Sequence, residues 1–586
     1  MNRFENPLIV QSDRSLLLDV HAPRANECRI ALVPFAELEK SPEHLHTYKL
    51  SPLSLWNAAS AGFSAADALR VLNDFSKYDV PQSVESWIFE TAERFGKLRL
   101  VEGDSPDTLF LATPNPLIFR EIAASRIGKT LLSPCANAVE SNFLNDEEKR
   151  HSFRLELTNR GTVKQQLLQI GWPVKDDVPM REGEPLEIDL KKTTSAGKPF
   201  CVRKYQLEAA QAIVGNKGAG TGFGTVVLPC GAGKTIVGMT LMSILKTNTL
   251  IVTTNISAVH QWIDELLDKT TLCREQIAEY TGESKEIRPV TVATYQILTW
   301  RADKEGEYPH FSLFRSRAWG LIIYDEVHTL PAPVFRVVAE IQAVRRLGLT
   351  ATLVREDGCE GYVFSLVGPK RYDVPWKDLE ASGFIASAEC IEIKLNLDRS
   401  QELEYAVCEP RKKHRIASEN PEKLTFVKEI INQSPNDKIL VIGQYIDQLK
   451  KIAQMIGCPI ITGKTPNAER DQIYADFRSG KIKVLVVSKV ANFAINLPDA
   501  SMAIQVSGTF GSRQEEAQRL GRILRPKERK SRFITLITRN TVEEDFGANR
   551  QKFLAEQGYS YKIVRNEDRH EIENNVASAL GQNCLC

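Results

Sequence analysis

The pattern of apolar and polar positions changes texture near residue 200. Before it, from about Pro7 to Leu132, helical and strand-like segments mix, and apolar residues at helical spacing predict an amphipathic helix over Ala65 to Phe75. After Phe200 come short β-branched apolar runs separated by helical stretches: Thr225 to Leu228, Thr249 to Thr253, Val290 to Ala293, Leu321 to Tyr324 and Leu347 to Thr350. The same rhythm returns at Ile439 to Ile442, Pro459 to Thr462, Val484 to Ser488, Ala503 to Ser507 and Phe533 to Ile537. Strands alternating with helices predict parallel α/β sheets, so the expected fold is two tandem α/β lobes behind a mixed α/β region. The charged stretch Asn145 to Arg150 and the Pro/Gly/Lys-rich stretch Val178 to Pro199 read as connections that bracket a small unit near 151–190. The residues from about Asn566 are polar, as expected of a frayed end.

Composition narrows the class without naming a chemistry. A chain of 586 residues exceeds one hydrophobic core, and 42% apolar with 25% charged residues is ordinary for a folded protein. No apolar run approaches the roughly 20 residues that span a bilayer, and Met1 to Val10 lacks a secretory pattern, so a cytoplasmic protein without a membrane partner is expected. Of the 11 cysteines, Cys584 and Cys586 alone are close in sequence, which predicts free thiols, no structural metal and no iron–sulfur cluster. The net charge of +1 gives no global sign of a nucleic-acid partner. Between Lys451 and Arg532, however, 15 Lys and Arg face 7 Asp and Glu, an excess that also fits a solvated face.

Three segments carry chemistry. The first β run leads into Pro229-Cys230-Gly231-Ala232-Gly233-Lys234-Thr235, where Gly231 and Gly233 free backbone amides to wrap phosphate oxygens at a helix start. Lys234 would reach the β- and γ-phosphates and the Thr235 hydroxyl would bind Mg²⁺. The strict pattern has glycine where Leu228 stands, and an incidental turn is the plain alternative. The run Leu321 to Tyr324 ends in Asp325-Glu326-Val327-His328, two acids at the carboxyl end of a buried strand, where such sheets place ligands. Asp325 would hold the Mg²⁺ shell and Glu326 would polarise the attacking water, although alone the pair could be a capping loop. Late in the second lobe, Gln518-Arg519-Leu520-Gly521-Arg522-Ile523-Leu524-Arg525 spaces arginines so that Arg522 and Arg525 can reach a transferring phosphoryl group. Taken alone, that segment also fits a basic solvated helix.

In this order, on two α/β lobes, the segments resemble superfamily 2 helicases with RecA-like lobes, and among them the XPB family, whose acidic box also reads Asp-Glu-Val-His. Arg203, Tyr205 and Gln206 look like the adenine-reading Q motif, and Leu347 to Thr352, with Thr350 and Thr352, looks like the motif coupling hydrolysis to lobe movement. Arg355-Glu356-Asp357, just beyond Leu353-Val354, looks like the tripeptide peculiar to the family, a candidate strand-separating wedge. His46 to Leu50 resembles the family's amino-terminal domain and Gln557 to Ser560 its carboxyl-terminal end. Arg411 to Arg415 corresponds to a thumb-like DNA grip, and equally to a solvated basic helix. On this resemblance the expected domains are an amino-terminal domain over 1–135, a damage-recognition-like domain over 151–195, an ATP-binding lobe over 196–385, a second lobe over 386–565 and a tail over 566–586. Asn496 stands where the family usually carries an acid before Leu-Pro, which removes a charge from the coupling region. The long acidic insertion of eukaryotic members is missing, which suggests the prokaryotic form.

The resemblance implies an ATP- and Mg²⁺-dependent DNA helicase that moves 3′ to 5′ in repair. Single-stranded and junction DNA would be its partners, with a nuclease companion in some members. DNA contacts and coupling are expected at Thr254, Thr294, Thr462, Lys489 and Gln518, mostly to phosphate and sugar. Two alternatives stay open: a duplex translocase, and an ATP-gated damage-binding clamp that recruits a nuclease.

Overall fold

The computed structural model describes residues 5–488, 500–508, 531–556 and 561–565, apart from 33, 41–44, 106, 137, 140, 216–220, 230, 304–307, 331–333, 335–337, 339–343, 352–359, 375 and 385–387. The chain divides into two compact units, Met1–Leu228 with Gly233–Asp373 and Val374–Cys586 with Pro229–Ala232, taken in turn.

The first unit opens with an antiparallel sheet of Leu8–Val10, Ser15–Asp19, Leu45–Lys49 and Glu37–Lys40, in that spatial order. The predicted amphipathic helix is present as Ala65–Phe75, with Ala68, Leu69, Leu72 and Phe75 buried along one stripe. It begins where it does because Ser64 and Asp67 satisfy each other's backbone N–H groups, a capping box with bonds of 3.1 and 3.0 Å.

A five-stranded sheet follows, in the order Ser133–Pro134, Ser152–Glu156, Thr108–Ala112, Leu98–Glu102 and Val174–Asp176. It draws strands from both sides of residues 135–151, where a break between two domains was expected. One core explains this, because Leu100, Leu111, Phe153 and Leu167 pack together. Asn145 to Arg150, expected as a connection, is a short helix over Asp146–Arg150 capped by Asn145, with Glu148 buried and bound to Arg99 at 3.1 Å. Val178 to Pro199 runs without helix or strand, turning near Ser195 to Gly197, and is tied to the carboxyl ends of two helices of the next lobe by Leu186 N–H to Lys246 C=O (3.0 Å) and Lys191 N–H to Lys269 C=O (2.8 Å).

That next sheet has seven strands: β1 (Phe223–Val227), β2 (Thr249–Thr253), β3 (Ile277–Tyr280), β4 (Val290–Thr294), β5 (Leu321–Asp325), β6 (Arg345–Thr350) and β7 (Lys370–Asp373). Their spatial order is β3-β4-β2-β5-β6-β1-β7, and every pairing is parallel. Strands β1, β2 and β4 are buried at every position because helices cover both faces, which is why they read as continuous apolar runs.

The second unit repeats the scheme with β8 (Ala388–Leu395), β9 (Ile439–Ile442), β10 (Ile460–Ile461), β11 (Val484–Val487), β12 (Met502–Gln505), β13 (Ser531–Thr538) and β14 (Tyr561–Arg565). Their order, β10-β11-β9-β12-β13-β8-β14, is again parallel throughout. The fold is therefore two tandem RecA-like parallel-sheet lobes. Four strands went unexpected: β3, β7 and β14 lie at sheet edges, and β8 interleaves Glu389, Glu392 and Lys394 with apolar residues.

Candidate nucleotide-binding site

The phosphate loop hangs between two fixed points. Leu228, fully buried at the end of β1, donates its N–H to Thr350 C=O on β6 at 3.0 Å, so the chain still packs as strand where the strict motif has glycine. Beyond it Gly231 and Gly233 take φ of +84° and +81°, and the helix Lys234–Leu245 starts directly after. A side chain at Gly233 would set its Cβ 2.5 Å from Gln206 Nε2, so glycine is required there for conformation and for space. The result is a left-handed turn feeding a helix amino terminus, with Thr235 half-buried in the first helical turn.

The acidic pair faces this loop. Lys234 Nζ lies 3.3 Å from Glu326 Oε1. Glu326 itself adopts φ +50°, ψ +53°, a left-handed conformation that side chains seldom take, and such outliers concentrate at functional sites. Asp325 is held by neighbours that sequence reasoning did not name: Trp262 Nε1 donates to Oδ2 at 2.9 Å, Thr253 Oγ1 to the same atom at 3.4 Å, and Tyr295 OH to the Asp325 carbonyl at 3.0 Å. Burial, and next the charge of Glu326, push the Asp325 carboxyl up to about 6, whereas the Trp262 bond and Lys234 pull it down. A carboxylate poised in this way gains from any cation placed beside it, so Asp325 and the Thr235 hydroxyl suit a hard, oxygen-seeking ion such as Mg²⁺.

Two further contacts tie other motifs to the same strand ends. His328 Nδ1 lies 2.5 Å from Thr350 Oγ1, with both side chains buried, which joins the acidic box to the Leu347–Thr350 segment. Gln206 is also buried, and its Oε1 accepts the Arg203 N–H at 3.0 Å, capping the helix Lys204–Val214, while Arg203 Nη1 donates to Tyr205 OH at 3.3 Å.

Of the residues expected at DNA, Thr254 is half-buried just past β2 and accepts from Asn255 Nδ2 at 3.3 Å. Thr294 is 2% exposed and its hydroxyl caps Tyr295–Leu298, so it supports the strand end from beneath. Thr462 shapes a tight turn by accepting from Lys464 N–H at 3.3 Å. Cys230, Thr352, Arg355, Glu356, Asp357, Lys489, Asn496, Gln518, Arg522 and Arg525 lie outside the described residues, as does the stretch Gln557 to Ser560. Trp262, Thr253 and Tyr295 left no motif in the sequence, because each reaches Asp325 from a neighbouring strand or helix.

Comparison with known proteins places this chain in a family. Residues 379–583 match the ERCC3/RAD25/XPB C-terminal helicase family, residues 200–355 the type III restriction enzyme res subunit, and residues 8–134 a helicase conserved C-terminal domain. A Kineococcus radiotolerans protein described as DNA 3'-5' helicase XPB is 49% identical, covering 98% of this chain and 99% of its own. The chain belongs to the XPB family. A Mycobacterium tuberculosis member of the same description is 48% identical over 96% of this chain and 98% of its own. The family reaches eukaryotes: the general transcription and DNA repair factor IIH helicase/translocase subunit XPB of Encephalitozoon cuniculi is 33% identical, over 98% of this chain and 85% of its own. No helix among the described residues is long and apolar enough to cross a membrane.

Proposed function

We propose that this XPB-family chain is an ATP-driven DNA helicase that moves 3′ to 5′ and separates strands during repair. The observation that carries the reading is the joining of three motifs at the carboxyl ends of central strands through Lys234–Glu326 (3.3 Å) and His328–Thr350 (2.5 Å). It stands in a chain matched along nearly its whole length to bacterial relatives bearing that name.

In this reading the amides around Gly231 and Gly233, with Lys234, cradle the ATP phosphates. Entry of the γ-phosphate draws Lys234 away from Glu326, whose carboxylate then accepts the proton of the attacking water. Thr235 and Asp325 would hold Mg²⁺, which neutralises charge on the phosphate oxygens when bound. Gln206 and Arg203 serve the adenine end, and Arg522 and Arg525 stabilise the transferring phosphoryl group. Thr350 passes the state of the acidic box to β6, and from there to Thr352 and Arg355-Glu356-Asp357. Single-stranded and junction DNA are the partners, gripped near Thr254, Thr462, Lys489 and Gln518, and the resemblance adds a nuclease companion.

The deciding experiment measures ATP hydrolysis with and without single-stranded DNA, beside displacement of a labelled strand from a duplex with a 3′ overhang. Stimulation with displacement is expected. Stimulation without displacement would shift the reading to a duplex translocase or an ATP-gated damage-binding clamp; the Encephalitozoon cuniculi relative is described as a helicase/translocase subunit. No stimulation would overturn the nucleic-acid assignment.

A further inference from the structure

Far from the phosphate loop, a cavity of about 160 Å³ lies where three parts of the first unit meet. Its wall takes Ser60 from the amino-terminal helix Pro52–Ser60, Lys164 and Asp176 from the middle sheet region, and Phe223 and Arg371 from the first lobe. Lys175 and Asp177 complete its charged lining. That volume leaves room for a small polyatomic ion.

The charges of this wall do not cancel. Lys164, Lys175 and Arg371 face Asp176 and Asp177. Both acids already bind cations outside the wall, Asp176 receiving Arg160 at 2.8 and 3.0 Å and Asp177 receiving Arg99 at 2.9 Å, while Lys175 Nζ lies 3.5 Å from Asp177 Oδ2 and Arg371 Nη1 donates to Ser60 C=O at 2.7 Å, which leaves the wall with more cations than carboxylates. Lys164 shares Asp176 with Arg160 at 2.8 Å, and all three side chains are at most 5% exposed. Arg160 Nη1 is buried without a protein acceptor. Behind the wall stands a further cation, the fully buried Arg346, so that Lys164, Arg346 and Arg371 lie 5.4, 5.2 and 5.8 Å from the centre of the one Phe223 ring. Burial, and then the nearby Arg346 and Arg160 against the pull of Asp176, push the Lys164 ammonium down to about 8. Gathering cations at low dielectric is costly unless an anion joins them.

We propose that this cavity binds a small oxyanion of the phosphate class, held by Lys164 and Arg371 and rimmed by Lys175. The donors on its wall are ammonium and guanidinium groups, which suit an ion with several acceptor oxygens. Because Lys164 belongs to the middle sheet region and Arg371 to the first lobe, the bound ion staples these two together, beside the existing Arg371 Nη1 bond to Ser60 C=O of the amino-terminal region at 2.7 Å.

The test follows thermal unfolding of the full chain against inorganic phosphate, at ionic strength held constant with chloride. The midpoint should rise by a few degrees and saturate, as for any ligand that binds the folded state. The phosphate loop could also take this ion, so the shift must persist in Lys234→Ala. It should need roughly tenfold more phosphate in Lys164→Met, which deletes one charged donor while Arg160 keeps Asp176 paired. Lys175→Ala changes a half-exposed rim residue and should weaken the response several-fold, which keeps the test alive if Lys164→Met does not fold. A 5′-phosphorylated oligonucleotide compared with its unphosphorylated form separates the sources. A Lys164-dependent difference assigns the ion to a DNA end, and a response to inorganic phosphate alone assigns it to the free ion. A shift lost in Lys234→Ala, or unchanged in both Lys164→Met and Lys175→Ala, overturns the site.

Discussion

The two lobes have the same sheet, seven parallel strands in the same spatial order, and very different strand ends. After its first strand, lobe 1 turns through Gly231 and Gly233 into Lys234. At the corresponding place, lobe 2 starts the helix Arg399–Val407 with an ordinary aspartate cap, Asp398 accepting Gln401 N–H at 2.9 Å. After its fifth strand, lobe 1 presents Asp325 and Glu326, and lobe 2 presents Val506-Ser507-Gly508. Two carboxylates, the half-buried Asp325 and the fully buried Glu543, differ in the same sense. Asp325 is held by neutral donors and pushed up by burial, ready for a cation. In lobe 2, Glu543 is locked by Lys423 at 2.7 Å, both side chains at 0% exposure, and it also accepts Thr538 N–H at 2.9 Å. A duplicated scaffold thus carries a glycine turn and an acidic pair on one copy and a closed ion pair in the other.

The comparison breaks most sharply at Glu326. If lobe 1 holds the chemistry, Glu326→Gln keeps the shape, removes the proton acceptor and should lower ATP hydrolysis by roughly 10³-fold or more, with nucleotide affinity nearly unchanged. Steady-state hydrolysis beside binding of a fluorescent ATP analogue reads both. Normal turnover would show that the left-handed turn at Glu326 serves only the fold.

The next effect is on stability. Lys423→Met leaves the Glu543 carboxylate buried without its cation, a change that costs about 3–5 kcal/mol. Lys423→Met with Glu543→Gln removes both charges and should recover most of that loss in denaturant unfolding. If the single change costs no more than the double, lobe 2 is not organised around a closed ion pair.

Legibility follows the same division. The central strands could be read because burial on both faces writes an unbroken apolar run, and Thr249–Thr253 and Ile439–Ile442 start and stop where the runs do. Edge strands such as Lys370–Asp373 could not, since half of their surface lacks a sheet neighbour and Lys370, Arg371 and Asp373 break the pattern. The glycine turn from Gly231 to Lys234 and the acidic pair, which meet through Lys234 and Glu326, could be picked out because the residues of each adjoin in sequence. The Arg99–Glu148 bond and the core shared by Leu100 and Phe153 were not, because they join segments about 50 residues apart, and so one sheet stood where two domains were expected.

The smallest expected effect tests a residue that no motif announced. Trp262, 2% exposed on the helix Ile256–Lys269, gives its indole N–H to Asp325 at 2.9 Å. The far edge of its ring passes Gly238, where an added Cβ would stand 2.7 Å from Trp262 Cη2, and Gly238 lies on the helix that begins at Lys234. One side chain therefore touches both halves of the site, fixing the carboxylate with its nitrogen and the phosphate-loop helix with its ring. Trp262→Phe keeps an aromatic ring and loses the donor, and a hydrogen bond to a charged group at ~1.5–3 kcal/mol predicts a fall in kcat of roughly tenfold or somewhat more. Gly238→Ala keeps the donor but pushes the ring aside, so it should give a similar loss with the indole intact. If Trp262→Phe slows hydrolysis and Gly238→Ala does not, the hydrogen bond survives movement of the ring and packing against the helix is secondary. If neither changes kcat, Asp325 is positioned by β5 and Thr253 alone, and the site needs no support from Trp262.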